Sequence, residues 1–311
     1  MQSYAAVFPG QGAQYVGMGG ELLREYETVQ TMFRRASDAL GWDLASLVSE
    51  GPENKLNLTA YTQPALLAVS VAAWEVFRPQ VAKDPEFSAG LSLGEYSALV
   101  AAGSLKLEDA VRLVHLRGKY MQEAVPAGVG GMAAVLGMDE SPLESVCREV
   151  SDDDDFVALA NLNCPGQVVI SGHMEAVKRA CNLASERGAR RAVVLPVSAP
   201  FHSELMRPAR DKLGEAMDDV EFRRARFPVI SNARVVPLTD PDDIREALLE
   251  QMTSPVRWEA SVHYMINAGL RNFLEFGPKK TLTGFLRRID RSARGFTVET
   301  PEDVDGVVCE L

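Results

Sequence analysis

Gly90-Leu91-Ser92-Leu93-Gly94 is the stretch that decides the fold, because it joins an apolar run at residues 87–91 to a run of small residues at 94–102. The pattern G-x-S-x-G between a strand and a helix is typical of a nucleophile elbow, which exposes a serine hydroxyl at the end of a strand. The helix N-terminus supplies N–H groups that favour nearby negative charge. Such a pentapeptide also occurs by chance, but the predicted strand and helix around it favour a nucleophilic serine.

A serine hydroxyl is a weak nucleophile until a base activates it, so the four histidines are the first candidates. His202 follows the predicted strand at 192–197, and we predict that it is the base for Ser92. His115 is expected on the surface of a helix and His173 as a local helix cap, whereas the setting of His263 stays open. A lone histidine more often has a structural role, and only the presence of a candidate nucleophile at Ser92 favours His202 as a catalytic base.

A hydrolase triad would also need an acid between the serine and the histidine in chain order. The run Asp152-Asp153-Asp154-Asp155 lies in that interval, but four consecutive acids are typical of a solvated loop. The sequence therefore offers no convincing third acid.

Arg117 lies on an apolar helical stripe with Ala110, Val114 and Met121. An arginine on such a face needs an anionic partner, because burying an unpaired charge is very costly. A protein carboxylate in a structural ion pair is the commoner solution. A substrate carboxylate held by the planar guanidinium is the alternative.

The loop at residues 8–14 has Gly10 and Gly12 in G-x-G spacing, but Tyr15 stands where a dinucleotide loop needs its third glycine. The chain also lacks the Gly-Lys-Ser/Thr of a P-loop. The loop is either a plain tight turn or a source of N–H groups for an oxyanion, and spacing alone favours neither.

The 311 residues carry a formal net charge of −11, which argues against a general nucleic-acid binder. The four cysteines are scattered, so we expect neither a disulfide framework nor a zinc site. We see no signal peptide and no membrane span, and we expect a cytoplasmic location.

The chain is predicted to fold as an α/β protein with an inserted small domain. Residues 129–197 follow the order strand, helix, strand, strand, helix, strand, which is typical of a ferredoxin-like α+β unit. Residues 1–128 and 198–311 are predicted to form one large, discontinuous α/β-hydrolase-like domain with a parallel sheet. Helices are predicted at 21–40, 62–76, 94–102, 107–124, 142–150, 175–187, 203–217, 242–251 and 256–267. Strands are predicted at 4–8, 87–91, 131–138, 156–161, 167–171, 192–197, 227–231 and 272–276.

Six segments together resemble the malonyl-CoA:acyl-carrier-protein transacylases of fatty-acid synthesis, and the resemblance covers nearly the whole chain. The segments are FPGQGAQ at 8–14, TQPAL at 62–66, GLSLGEYSAL at 90–99, NLNCPGQ at 161–167, FHS at 201–203 and FLEFGP at 273–278. Each segment is moderately specific, and their order and spacing are highly specific. Acyltransferase domains of polyketide synthases share them, so both families of pathway stay open.

The resemblance implies roles for the catalytic residues. Ser92 would carry the acyl group as an ester, and His202 would act first as general base and then as general acid. The backbone N–H groups of Gln11 and Leu93 would form the oxyanion hole. Gln251 would replace the missing acid by orienting the region of the histidine.

The resemblance also implies substrate-binding residues, namely Arg117 for the malonyl carboxylate, with Met121, Asn161 and Phe201 around it. Phe201 is associated with malonyl rather than methylmalonyl units, although steric selection is worth only about 1–3 kcal/mol per methylene. Leu91 is a departure, because many relatives have histidine before the serine. We expect it to alter the polarity of the site and the lifetime of the acyl-enzyme without abolishing activity.

The expected reaction is ping-pong transfer from malonyl-CoA to the phosphopantetheine thiol of an acyl carrier protein, with no metal or redox cofactor. We expect a monomer whose exposed Lys279, Lys280, Arg287 and Arg288 meet an acidic carrier. The alternatives are a discrete polyketide-type acyltransferase, a serine thioesterase or esterase, and a non-catalytic carrier-binding scaffold.

Overall fold

The structure, a computed structural model, describes residues 2–126, 128–197 and 199–310. The strands of this part of the chain are β1 (Tyr4–Phe8), β2 (Phe87–Gly90), β3 (Gly130–Leu136), β4 (Val157–Cys164), β5 (Gln167–His173), β6 (Arg191–Val194), β7 (Val229–Ile230), β8 (Pro237–Leu238), β9 (Asn272–Phe276) and β10 (Arg294–Val298). The α-helices are α1 (Gly20–Glu25), α2 (Glu27–Leu40), α3 (Leu44–Glu50), α4 (Glu53–Leu56), α5 (Thr59–Phe77), α6 (Leu93–Ala101), α7 (Leu107–Glu123), α8 (Glu140–Val150), α9 (Met174–Glu186), α10 (Arg207–Met217), α11 (Pro241–Thr253), α12 (Trp258–Asn267), α13 (Thr281–Ile289) and α14 (Pro301–Glu310).

The larger sheet has the strand order β10-β9-β1-β2-β7-β8, and only the pairing of β7 with β8 is antiparallel in the described residues. All five residues of β1 are buried, as expected for a parallel strand covered by helices on both faces. Phe8, the last residue of β1, pairs with Gly90 of β2. The carboxyl ends of these two strands therefore bring the glycine-rich loop and the serine elbow together.

The smaller sheet has the order β4-β5-β3-β6, with every pairing antiparallel. With α8 and α9 this is the strand order of a ferredoxin-like unit. It has its own cluster of buried residues, which includes Val135, Leu143, Ile170 and Val177. The domain boundaries at 128 and 198 stay predictions, and Ser198 itself lies outside the described residues.

The predicted fold class is confirmed, since a parallel-containing sheet accompanies a separate small antiparallel sheet. Several element boundaries were wrong. The helix predicted at 21–40 is two helices, because Tyr26 adopts an extended conformation between them. The helix predicted at 203–217 begins as a 3-10 turn at Glu204–Met206.

Three C-terminal elements, α13, β10 and α14, were not predicted. Each contains one glycine, Gly284, Gly295 or Gly306, a residue that is unfavourable inside helices and strands and so gives no local signal for either. Among the described helices, none combines the length and apolar character that crossing a membrane requires.

Candidate active site

Ser92 lies in a sharp turn between β2 and α6, with φ of 53° and ψ of −103°. A positive φ is strained for a residue other than glycine and is typical of a nucleophile elbow. A Cβ on Gly90 would lie 1.9 Å from the carbonyl carbon of Gly94, and one on Gly94 would lie 2.1 Å from the carbonyl oxygen of Phe8. Both glycines of the motif are therefore required by close backbone contacts.

Two buried amides hold the main chain of the elbow. The Ser92 N–H donates to Asn232 Oδ1 at 2.7 Å, and Asn232 Nδ2 donates to the Gly90 carbonyl at 2.7 Å. On the other side, Gln251 Nε2 donates to the Ser92 carbonyl at 3.0 Å. These contacts stabilise the strained serine, since both of its main-chain polar groups have side-chain partners.

His202 lies beside the serine, with Nε2 2.8 Å from Ser92 Oγ. Its Nδ1 lies 2.8 Å from the main-chain carbonyl oxygen of Gln251, which can only accept a hydrogen bond. Nδ1 therefore carries the proton, and Nε2 is free to accept from the serine hydroxyl. Burial, together with the charge of Arg117, lowers the pKa of His202 to about 4, so the imidazole is neutral at pH 7.

Gln251 is near the histidine, but it contacts the ring through its main chain. The side-chain amide instead joins Ser92, Glu95 and Arg117: Nε2 donates to the first two, and Oε1 accepts from the third at 2.8 Å. Its orientation follows from its neighbours, because Nε2 faces only acceptors and Oε1 faces a donor. The role of Gln251 in orienting His202 stays a prediction.

Arg117 is 1% exposed and points at the serine. Nη1 donates to Gln63 Oε1 at 2.9 Å, and Nη2 reaches Ser92 Oγ at 3.2 Å as well as Gln251. Its guanidinium also lies over the ring of Tyr96, 5.4 Å from the centroid. The expectation of a structural ion pair was wrong, because no carboxylate among the described residues contacts the guanidinium. The cation is instead held by neutral oxygens.

The glycine-rich loop after β1 packs against the elbow, since a Cβ on Gly10 would lie 2.3 Å from the Leu91 carbonyl oxygen. Gln11 and Leu93 flank Ser92 in the same cavity. Across the described chain, neither backbone N–H donates to a protein acceptor. An arrangement of this kind can bind a developing oxyanion, although that role stays a prediction.

A cavity of about 200 Å³ opens above the serine. It is lined by Gln11, Gln63, Leu91, Ser92, Leu93, Arg117, Met121, Met132, Asn161, Asn163, Val169, Leu195, Val197, Phe201, His202, Thr281 and Phe285. Eight of the nine predicted site residues are in this set, and Gln251 lies behind it. The smaller sheet and the segment after it supply one wall. In the described part of the chain, no cluster of His, Cys, Asp or Glu could hold a metal ion.

Three residues that connect the side chains of the site to the scaffold were not predicted: Gln63, Glu95 and Asn232. Burial raises the pKa of Glu95 to about 7. The only signal for Glu95 was an acid in the first turn of a predicted helix, and this is common because it complements the helix dipole.

Two histidine predictions were wrong. His115 is part-buried and bonds the Ala60 carbonyl at 2.7 Å. His173 precedes α9 but makes no side-chain cap, because its Nδ1 accepts from the Phe156 N–H.

Comparison with known proteins places this chain in one family. The acyl transferase domain family matches residues 6–301. The malonyl CoA-acyl carrier protein transacylase of Bacillus subtilis is 48% identical over 98% of this chain and 96% of the relative. The structure of the enzyme with that name from Coxiella burnetii has a TM-score of 0.97 at 44% identity, and covers 100% of this chain and 98% of its own. A malonyl-transacylase in complex with a type II PKS acyl-carrier protein has a TM-score of 0.96 at 44% identity, with both chains covered completely. The chain thus belongs to the acyl transferase family, among the malonyl CoA-acyl carrier protein transacylases.

Proposed function

We propose that this chain transfers a malonyl group from malonyl-CoA to the phosphopantetheine thiol of an acyl carrier protein through a serine ester. The observation that carries the proposal is the pairing of Ser92 Oγ with His202 Nε2 at 2.8 Å, next to a buried Arg117 that no carboxylate contacts in the described residues. The relatives named above supply the substrate and the carrier class.

In the first half-reaction, Ser92 attacks the thioester carbonyl while His202 Nε2 takes the hydroxyl proton. The backbone N–H groups of Gln11 and Leu93 stabilise the oxyanion of the tetrahedral intermediate. His202 then returns the proton to the sulfur of CoA, which leaves. In the second half-reaction the carrier thiol attacks the ester, and the same groups act in the reverse order.

Arg117 binds the free carboxylate of the malonyl group. Arg117 Nη2 lies 3.2 Å from Ser92 Oγ, a position suited to an acyl group in which a single methylene separates the carboxylate from the reacting carbonyl. The planar guanidinium can offer a carboxylate two parallel hydrogen bonds, and its burial would make that charge pairing strong.

The cavity wall limits access of water to the ester. Apolar side chains, among them Leu91, Phe201 and Phe285, surround the serine. Exclusion of water would favour the carrier thiol over hydrolysis in the second half-reaction.

Intact-mass spectrometry after incubation with malonyl-CoA tests the proposal. We expect one malonyl adduct on the wild type and none on Ser92→Ala. Ser97→Ala is the matched control, since this serine lies in α6 directly after the elbow and its buried hydroxyl has no partner among the described residues. An adduct that persists in Ser92→Ala, or no adduct on the wild type, would overturn the proposal.

A serine esterase or thioesterase is the second candidate function, and the Ser92–His202 pair favours it equally. Against it, a carbonyl and not a carboxylate accepts from His202 Nδ1. Partition of the malonyl-enzyme between water and a carrier thiol decides between them, because an esterase releases malonate at the same rate with or without the carrier. A discrete polyketide-type acyltransferase shares the chemistry and the structural likeness to a carrier complex, and differs only in which carrier it serves best.

For the carrier we propose docking beside helix α13. Thr281 and Phe285 of this helix line the cavity. Arg287 and Arg288 are exposed on the helix, and the exposed Lys279 and Lys280 directly precede it. We further propose a monomeric, cytoplasmic protein that needs no metal or redox cofactor. The four cysteines form no disulfide with one another, which fits a reducing compartment.

A further inference from the structure

Glu95 is a buried acid that the proposed reaction does not use. It lies one helical turn after the nucleophile in α6, and its side chain is 3% exposed. Its Oε2 accepts two hydrogen bonds, from Gln251 Nε2 at 2.7 Å and from the Asn232 N–H at 3.1 Å. Glu95 therefore contacts both residues that hold the main chain of the elbow.

The same carboxylate is linked to the substrate-binding arginine through a single amide. Gln251 donates from Nε2 to Glu95 and accepts at Oε1 from Arg117. The other hydrogen-bond partners of Arg117 in the described residues are the neutral oxygens of Gln63 and Ser92. Glu95 is consequently the acid that offsets the buried charge of Arg117 when no substrate is present.

The other titratable groups facing this cluster are few. Tyr96 of the same helix lies beside Arg117, with its pKa raised to about 12, and so stays neutral. His202 is bonded to the Gln251 carbonyl and is neutral above its pKa of about 4. The segment after β7 contacts Glu95 through the uncharged main-chain N–H of Asn232.

Arrival of the malonyl carboxylate changes the charge of this cluster. One guanidinium would then face two carboxylates, and burying an uncompensated charge is very costly. A proton taken up by one acid removes that cost.

We propose that Glu95 takes up one proton from solvent when a malonyl carboxylate binds Arg117, so that the buried cluster keeps no net charge. This inference rests on the proposed function and assigns Glu95 as a charge-balancing, positioning residue. The proton goes to Oε1, because Oε2 accepts two hydrogen bonds. Burial already raises the pKa of Glu95 to about 7, so the extra carboxylate has only to raise it further.

Proton uptake has a measurable consequence for affinity. Above the pKa of the free site, malonyl-CoA should bind about tenfold more weakly for each unit of pH until the pKa of the bound site is reached. Acetyl-CoA has no free carboxylate, so its affinity should not follow this dependence.

Calorimetric titration of Ser92→Ala with malonyl-CoA tests the proposal, since this variant binds the thioester without being acylated. Heats measured at pH 7.5 in phosphate and in Tris give the number of protons bound, and we expect between about half and three-quarters, since a group with a pKa of about 7 is already about a quarter protonated at this pH. Acetyl-CoA is the control ligand and should bind with no uptake beyond that of the shared CoA moiety. Equal uptake with the two ligands would overturn the proposal.

Two further variants identify the acceptor of the proton. Ser92→Ala/His202→Ala keeps Glu95 and removes the other candidate, so the uptake must persist in it, and its loss would overturn the proposal. Adding Glu95→Gln to Ser92→Ala should abolish both the uptake and the pH dependence, whereas a merely structural role would weaken binding equally at every pH. The malonyl adduct on the wild-type serine is measured separately, so failure of the charge-balancing role leaves the transferase proposal intact.

Discussion

Replacing Arg117 with alanine should separate malonyl recognition from acyl transfer itself. The guanidinium is 1% exposed, so the malonyl carboxylate would enter the variant without a cation. Removing one partner of a buried charge pair costs about 3–5 kcal/mol. At about 1.4 kcal/mol per factor of ten, kcat/KM for malonyl-CoA should fall by between about 100-fold and about 4,000-fold.

Acetyl-CoA provides the internal reference, because it presents the same thioester without the carboxylate. We expect its kcat/KM to fall less, by no more than about tenfold, because losing the donor beside Ser92 Oγ is partly offset by removing a cation that opposes protonation of His202. Gln63 and Gln251 each lose a donor in the variant, which should cost about 1–3 kcal/mol of folding stability. Urea unfolding measures that cost separately.

The assay is rapid-quench intact-mass spectrometry of acyl-enzyme formation with each thioester. Arg117→Lys keeps the charge but loses the planar fork, so we expect a loss of about tenfold for malonyl-CoA. Arg112→Ala is the control on the same helix, since Arg112 is 53% exposed and pairs with Asp109 at the surface. Equal losses with malonyl-CoA and acetyl-CoA in Arg117→Ala would refute the reasoning, as would an unchanged rate with malonyl-CoA.

Three other predictions concern the elbow and its base. Gly94→Ala puts a Cβ 2.1 Å from a carbonyl oxygen of β1, so we expect the free energy of unfolding in urea to fall by about 3 kcal/mol. Gly284→Ala is the control, because the space around this helical glycine is open and the protein should be stabilised by up to about 1 kcal/mol. Similar effects of the two substitutions would contradict this view of the elbow. Asn232→Ala leaves the Ser92 N–H and the Gly90 carbonyl without this partner, so we expect the free energy of unfolding to fall by about 2–4 kcal/mol and acylation to slow. A variant as stable as the wild type would contradict this expectation. Because the pKa of His202 is lowered to about 4, the rate at which a neutral phosphonate labels Ser92 should rise with pH around 4 and stay level from about pH 6 to 8. An inflection near pH 6.5, the ordinary pKa of histidine, would contradict a lowered pKa for His202.

Much of the local structure around the nucleophile could be predicted because it rests on short-range rules. Glycines on both sides of Ser92, an apolar run before it and small residues after it describe an elbow before any tertiary contact is known. The strand order of the smaller sheet also followed the predicted alternation of strands and helices. Errors came where periodicity persists across a break, as at Tyr26, where two helices follow each other almost without interruption.

The polar network behind the site could not be predicted, since it joins residues far apart in the chain. Gln251 lies 159 positions from Ser92 and 156 from Glu95. Asn232 lies 140 positions from the serine. Asparagine, glutamine and glutamate in these segments have no local pattern that distinguishes them from ordinary polar residues, and only the resemblance to known transacylases pointed to Gln251.

The main-chain carbonyl of Gln251, which accepts a hydrogen bond from His202 Nδ1, is suited to a reaction that exchanges one thiol for another. A triad carboxylate stabilises the imidazolium and so strengthens the base, whereas here a neutral carbonyl accepts at 2.8 Å and Arg117 opposes the positive charge. Thiols ionise near pH 8.5 and water near 15.7, so a weak base can activate the carrier thiol far more readily than water. The Ser92 hydroxyl differs from water in having a cation beside it, because Arg117 Nη2 lies 3.2 Å from Ser92 Oγ and would stabilise a developing alkoxide. A water molecule attacking the ester would depend on the weak base alone for its deprotonation, and replacing the acid with a carbonyl would therefore favour transfer over hydrolysis.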